Sequence, residues 1–109
     1  MSDQIKVQSS SGNVFADLGL ANSDELLIKA ELVRQISNLI DAKRLTQTEA
    51  AKILGIDQPK VSALLNGKLS GFSIDRLFKF LNALGNDVEI RIIPKLQLES
   101  KAKTRVITV

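Results

Sequence analysis

The sequence contains neither cysteine nor histidine, and these two absences exclude several classes of function. Without cysteine, the chain forms no disulfide and offers no thiolate to a metal ion. Without histidine, it lacks the side chain that most often acts as a general base or binds a transition metal. We therefore expect no enzymatic activity, no metal site and no cofactor.

Long apolar runs are also missing from the 109 residues. No stretch approaches the roughly 18 residues that a membrane span needs. The first four residues do not have the pattern with which a signal peptide begins. These features predict a cytoplasmic protein that does not enter a membrane. A hydrophobic content of 44% with 25% charged residues is typical of a globular chain, and the length suits one domain of the size found in dimerising regulators.

The net charge of +3 is distributed unevenly along the chain. Residues 1–42 carry three basic and six acidic side chains, a net charge of −3. Residues 43–68 carry five basic and two acidic side chains, and residues 69–109 carry seven and four, so each has a net charge of +3. A concentration of positive charge after residue 42 favours a surface that binds nucleic-acid phosphates.

Residues 46–68, TQTEAAKILGIDQPKVSALLNGK, predict two short helices joined by a tight turn. Thr46 and Glu49 have the spacing of a capping box at the start of the first helix. Gly55 suits the left-handed end of that helix. Between them lies an apolar stripe formed by Ala50, Ala51, Ile53 and Leu54. The two alanines predict a close approach between the helices of the pair.

The second helix is predicted to follow Asp57, a favourable capping residue, with Pro59 in its first turn. Its inward side consists of aliphatic residues at helical spacing, namely Val61, Leu64 and Leu65. Its outward side is formed mainly by polar or small residues, namely Gln58, Lys60, Ser62 and Ala63. This pattern is typical of a helix-turn-helix whose second helix enters the major groove of DNA. A helical hairpin with a purely structural role is the alternative.

The preceding segments predict an N-terminal arm and a long helix. Residues 1–22 are expected to form a flexible arm to about Gly12, followed by a short segment packed on the core. Asn22 and Glu25 have the spacing of a second capping box. They predict a helix that continues to about Arg44 with apolar positions at a period of 3.6 residues.

The helix-turn-helix domain is predicted to occupy residues 23–85. Its last helix should be capped by Ser73, run to Leu84 and end at Gly85. Three aromatic side chains at helical spacing are expected to be core or dimer contacts rather than platforms for stacked bases, namely Phe72, Phe78 and Phe80.

The period changes to two in residues 86–109. Val88, Ile90 and Ile92 alternate with charged residues, which predicts a half-buried strand. A second β-branched run, Arg105–Val109, predicts either a hairpin with the first strand or a mobile basic tail. Because an isolated strand leaves its backbone groups unpaired, this region is the predicted dimerisation element.

The helix-turn-helix resembles the Xre-type family, which includes phage repressors and Cro proteins. A more specific resemblance, over roughly residues 10–95, is to HigA-type antitoxins of type II toxin–antitoxin modules. It is carried by SSGNVFADLGL, DELLIKAELVRQI and LNGKLSGFSIDRLFKFLNALGNDVEI. The resemblance implies a mainly α, five-helix-type, phage-repressor-like domain with a C-terminal β-strand or hairpin. It also implies a homodimer that binds an inverted-repeat operator in double-stranded DNA and a RelE-like ribonuclease toxin as partner.

The same resemblance assigns roles to individual residues. Gln47 corresponds to a glutamine that contacts phosphate in the phage repressors. Gln58 corresponds to their first base-reading glutamine, which suits bidentate pairing with adenine. Asn66 and Lys68 correspond to positions that bind phosphate after the recognition helix.

Two positions depart from the family pattern. Pro59 and Ala63 replace glutamines found in some relatives, and both offer only apolar contact, for example with a thymine methyl group. Lys60 and Ser62 are then expected to share the base or phosphate contacts. The base preference of those relatives therefore does not transfer to this chain.

Three functions remain open at the level of sequence. The first is a repressor that also neutralises a toxin, the second is a repressor without a toxin, and the third is a protein-binding inhibitor that no longer binds DNA. Toxin contacts are expected outside the recognition helix, in the segment Ser9–Leu20 and at the acidic start of the long helix. The alternative for that segment is that it merely covers the core.

Overall fold

In the computed structural model, residues 23–95 and 103–109 are described, and they form four α-helices and one short 3-10 helix. The α-helices are α1 (Ser23–Ala42), α2 (Gln47–Leu54), α3 (Gln58–Leu65) and α4 (Ile74–Ala83), and the 3-10 helix is Leu69–Gly71. The mainly α fold class is confirmed, with four of the five expected helices in the described part. The predicted N-terminal arm and packed segment, residues 1–22, lie outside the described residues.

Helix α1 ends two residues earlier than predicted. Its last residue is Ala42 rather than Arg44. Arg44 has a left-handed φ of +55°, and its N–H donates to the carbonyl of Asp41 at 3.0 Å. This turn satisfies one of the carbonyls that the helix end leaves without a partner, and it redirects the chain into α2. Asn22, the predicted cap at the other end, lies outside the described residues.

Both hydrogen bonds of the predicted capping box at the start of α2 are present. Thr46 Oγ1 accepts the N–H of Glu49 at 3.1 Å, and Glu49 Oε1 accepts the N–H of Thr46 at 2.8 Å. At the other end, Gly55 has a φ of +74°, as predicted for a left-handed stop. The expectation for Ile53 was wrong, because this side chain is 41% exposed. The buried face of α2 is therefore narrower, formed by Ala50, Ala51 and Leu54.

The core lies between two helix pairs, in which α1 packs against α4 and α2 packs against α3. Its largest fully buried side chains come from three of these helices, namely Ile36, Val61, Leu64 and Leu77. Ala50 is completely buried, which agrees with the predicted close approach of α2 and α3. Since α3 contributes two of the fully buried residues, its rotation about its own axis is fixed by the core.

Helix α4 begins at the predicted residue, and one of its aromatic side chains packs against Phe72. Ser73 Oγ accepts the N–H of Arg76 at 3.1 Å, which confirms the predicted cap. Phe72 and Phe80 are buried, and their ring centroids are 6.0 Å apart in an edge-to-face arrangement. Phe78 is half-buried against the same core. The interpretation of the three phenylalanines as packing residues is therefore confirmed.

The predicted C-terminal strand is not supported. Residues 86–95 and 103–109 contain neither helix nor strand, although Val88 packs against the core. Ile90 is 73% exposed. A strand needs a second backbone to receive its hydrogen bonds, and the described part of this single chain provides none. Residues 96–102, which would form the turn of the predicted hairpin, lie outside the described residues.

Candidate nucleic-acid interface

Helix α3 carries the predicted DNA-contacting residues at both of its ends. Gln58, Pro59 and Lys60 form its first turn and are exposed, while Asn66 and Lys68 follow its last turn and are also exposed. With a rise of 1.5 Å per residue, these two groups are separated by about 12 Å along the helix axis. The predicted contacts therefore lie at two separate points along the helix.

The inward side of α3 determines which residues face solvent. Val61 and Leu64 have no exposed surface. Val61 and Leu64 are three residues apart and therefore lie on the same face of the helix; this face packs on the core, while Gln58 and Lys60 in the first turn are exposed. Ser62 occupies an intermediate position and is half-buried. The predicted division of α3 is confirmed for Val61 and Leu64 on the inward side and for Gln58 and Lys60 on the outward side, whereas Ala63 and Leu65 are, like Ser62, half-buried.

The start of α3 is fixed by its cap. Asp57 has an extended backbone, and its Oδ1 accepts the N–H of Lys60 at 3.0 Å. Pro59 stands in the first turn, where its missing N–H leaves no carbonyl without a partner. Gln58 is consequently the first residue of the helix, the position from which a recognition helix contacts base edges.

A hydrogen bond that the sequence did not predict connects α2 to the start of α3. The hydroxyl of Thr48 donates to Oε1 of Gln58 at 3.3 Å. An amide oxygen has two lone pairs, so Oε1 can accept a second hydrogen bond while the Nε2 group donates. That combination is the one required for bidentate pairing with adenine. Thr48 thus orients the Gln58 amide without blocking it.

The chain leaves α3 through a left-handed turn at Gly67, whose φ is +81°. The N–H of Gly67 donates to the carbonyl of Leu64 at 3.1 Å, and the N–H of Lys68 donates to the carbonyl of Ala63 at 3.0 Å. This pair of bonds is a Schellman motif. It holds Lys68 at a defined place beside the helix end, although the side chain itself is exposed.

Asn66 is the other predicted phosphate contact at this end of α3. Its Nδ2 group donates to Oγ of Ser62 at 3.4 Å, one turn earlier on the helix. The bond orients the Asn66 amide and occupies one of its two N–H groups. The second N–H and the oxygen of the Asn66 amide, together with the Ser62 hydroxyl, can form further hydrogen bonds.

The two departures from the family pattern also lie on the surface of α3. Pro59 is exposed and Ala63 is half-buried. Neither side chain has a polar atom, so the only base feature that they can contact favourably in the major groove is a thymine methyl group. Gln47, at the start of α2, is exposed beside Thr48 and remains the predicted phosphate contact on the first helix of the pair.

The basic side chains of residues 43–68 are all exposed: Lys43, Arg44, Lys52, Lys60 and Lys68. None of them forms an ion pair with another described residue. They are therefore not neutralised by neighbouring carboxylates. In residues 23–95 and 103–109, no acidic cluster is suited to a metal ion. Within the same ranges, no helix has the length and apolar character of a membrane span.

Comparisons with known proteins agree with this geometry. The family model described as a helix-turn-helix domain matches residues 14–93. A solved structure of a transcriptional regulator assigned to the XRE family is 45% identical, with a TM-score of 0.77. That match covers 81% of this chain and 99% of the other. No curated protein matches.

Proposed function

The chain belongs to the Xre family of helix-turn-helix DNA-binding regulators, and from this we propose that it represses transcription as the antitoxin of a type II toxin–antitoxin module. The observation that carries the repressor function is the exposed Gln58 amide at the start of α3, oriented by Thr48 at 3.3 Å. A glutamine amide in this position pairs with adenine in the major groove. The proposed activity involves no catalysis, metal or cofactor, and its place is the cytoplasm.

We further propose that the repressor is a homodimer. A two-fold dimer binds an inverted repeat, whose half-sites lie about one helical turn, roughly 34 Å, apart. The exposed isoleucines of the C-terminal segment support a dimer, since Ile90, Ile92 and Ile93 are 73%, 94% and 70% exposed in the single chain. Covering such a patch favours association.

Base reading by Gln58 is tested with two variants and two DNA probes. One probe is an operator selected from a random-sequence pool, and the other is an unselected duplex. Gln58→Ala should weaken operator binding by about 1–3 kcal/mol and relax specificity at one base pair, because it removes a bidentate contact. Lys68→Ala is the matched control, and it should weaken both probes equally and flatten the salt dependence. Fluorescence anisotropy titrations measure both effects.

Two results would contradict this assignment. Equal affinity of the unaltered protein for the two duplexes at physiological salt would exclude sequence-specific repression. An unchanged base preference in Gln58→Ala would place base reading elsewhere on the recognition helix.

The proposed antitoxin activity is supported by the HigA-type resemblance and by the charge distribution. Residues 1–42 have a net charge of −3, which suits a basic ribonuclease that itself binds RNA. The proposed toxin contacts are Ser9–Leu20, outside the described residues, and the first turn of α1, where Asp24 and Glu25 are exposed. Contacts there leave α3 free for DNA while the toxin is bound.

Deleting residues 1–20 tests the location of the toxin contacts. The partner to use is the product of the adjacent reading frame, if that frame encodes a small basic RelE-like protein. The truncated protein should lose affinity for the toxin while keeping its affinity for the operator, as measured by calorimetry and anisotropy. Loss of both activities would show that the segment only supports the fold, whereas unchanged toxin binding would place the contact on another surface.

A repressor without a toxin is the second candidate, because the geometry of α2 and α3 accounts for DNA binding alone. The adjacent reading frame distinguishes the two: a frame for an unrelated protein would favour the second candidate. The third possibility, an inhibitor that no longer binds DNA, is disfavoured by the exposed and unneutralised lysines Lys60 and Lys68.

A further inference from the structure

A shallow groove lies beside the recognition helix, and three cations line it. Lys52 comes from α2, Lys60 from α3 and Arg76 from α4. None of the three forms an ion pair with another described residue. One acidic residue, Asp57, also lines the groove, and its Oδ1 accepts the N–H of Lys60. The balance of charge in the groove is therefore positive and favours an anion.

Arg76 is held in place before any ligand arrives. Its guanidinium carbon lies 5.5 Å from the centroid of Phe72 and 5.5 Å from the centroid of Phe80. Both rings are buried, so they form a fixed surface on which the guanidinium rests through cation–π contacts. The planar fork of arginine matches two oxygens of a phosphate. Because the side chain is already ordered, phosphate binding costs less conformational entropy.

The groove is continuous with the proposed DNA interface. Gln58 and Lys60 belong to both, and Thr48, which orients Gln58, lines the groove as well. In helix-turn-helix complexes the first helix of the pair crosses the DNA backbone while the second enters the major groove. The first helix here is α2, which carries Lys52. We infer that Lys52 and Arg76 each bind a backbone phosphate of the DNA beside the bases that Gln58 contacts.

This inference rests on the proposed DNA-binding function and adds two contacts that the family resemblance did not assign. Its test uses Arg76→Met, which keeps an apolar cover over Phe72 and Phe80, and Lys52→Gln. Each variant should bind a random 40-base-pair duplex and the selected operator about five- to tenfold more weakly at 0.1 M salt. The slope of log affinity against log salt should decrease by about 0.9 for each lost phosphate contact. Arg76→Lys, which retains the charge, should restore most of the slope.

The matched control is Lys79→Gln. Lys79 lies on the same helix as Arg76, but its Nζ pairs with Asp75 at 3.5 Å and it does not line the groove. Its replacement should leave the slope unchanged, and thermal melting of each variant separates loss of contact from loss of fold. If the unaltered protein binds neither duplex, the proposed function itself fails. If the unaltered protein binds DNA but Arg76→Met and Lys52→Gln have the same salt slope as the unaltered protein, the phosphate assignment is overturned. The same conclusion follows if these variants bind only the operator more weakly.

Discussion

Ile90→Asp is expected to abolish the proposed dimer and to leave the helical domain folded. Ile90 is 73% exposed in the single chain, so a charge at this position adds no burial cost to the monomer. In a two-fold dimer each interface residue is present twice. Burial of one isoleucine contributes about 1.5–3 kcal/mol, so loss of two copies should raise the dimer dissociation constant at least about 100-fold.

Sedimentation velocity and far-ultraviolet circular dichroism measure the two parts of this expectation. The matched control is Ile53→Asp, since this isoleucine is 41% exposed but belongs to α2 rather than to the C-terminal segment. It should leave the association state unchanged. Operator affinity should also fall in Ile90→Asp, since a monomer engages one half-site and loses the gain from bivalent binding. A folded, fully dimeric Ile90→Asp protein would place the dimer interface elsewhere.

Leu64→Ala is expected to destabilise the domain strongly. Leu64 has no exposed surface and lies in the core between α3 and its neighbours. Truncation of a buried leucine to alanine lowers the free energy of unfolding by about 2–5 kcal/mol, a large part of the total for a small domain. The melting temperature should fall by something on the order of 10–30 °C, and DNA binding should be lost as the domain unfolds.

Leu65→Ala provides the comparison, because Leu65 is the next residue and is only half-buried. Urea unfolding followed by circular dichroism gives the free energy for both variants. Leu65→Ala should lose well under half as much stability as Leu64→Ala. Equal losses of stability in the two variants would show that Leu65 belongs to the buried face of α3 as fully as Leu64 does.

Local signals in the sequence were sufficient for the helix-turn-helix. The capping box of Thr46 and Glu49, the cap at Asp57 and the left-handed stop at Gly55 each depend on residues a few positions apart. Interactions of that range are encoded by side-chain type and spacing. The early end of α1 was missed because Arg44 adopts a left-handed conformation, which is uncommon for any residue except glycine and asparagine.

Contacts between distant elements were harder to predict. The bond from Thr48 to Gln58 joins side chains ten residues apart, and it depends on how α2 packs against α3. The position of Arg76 over Phe72 and Phe80 depends in the same way on the packing of α4. The strand expected around Ile90 failed for a different reason. Alternation of apolar and charged residues indicates a segment with one apolar and one charged face, but a strand forms only where a partner backbone receives its hydrogen bonds.

The two helices that carry the proposed DNA-contacting side chains, α2 and α3, are only eight residues long each. Helices shorter than about 12–15 residues are marginal in isolation, so α3 persists only while it is docked on the core. Its backbone amides should therefore exchange with solvent hydrogen mainly through openings that also break the core. DNA consequently encounters a helix that is already formed, and the conformational entropy of ordering it has been lost during folding rather than at the moment of binding.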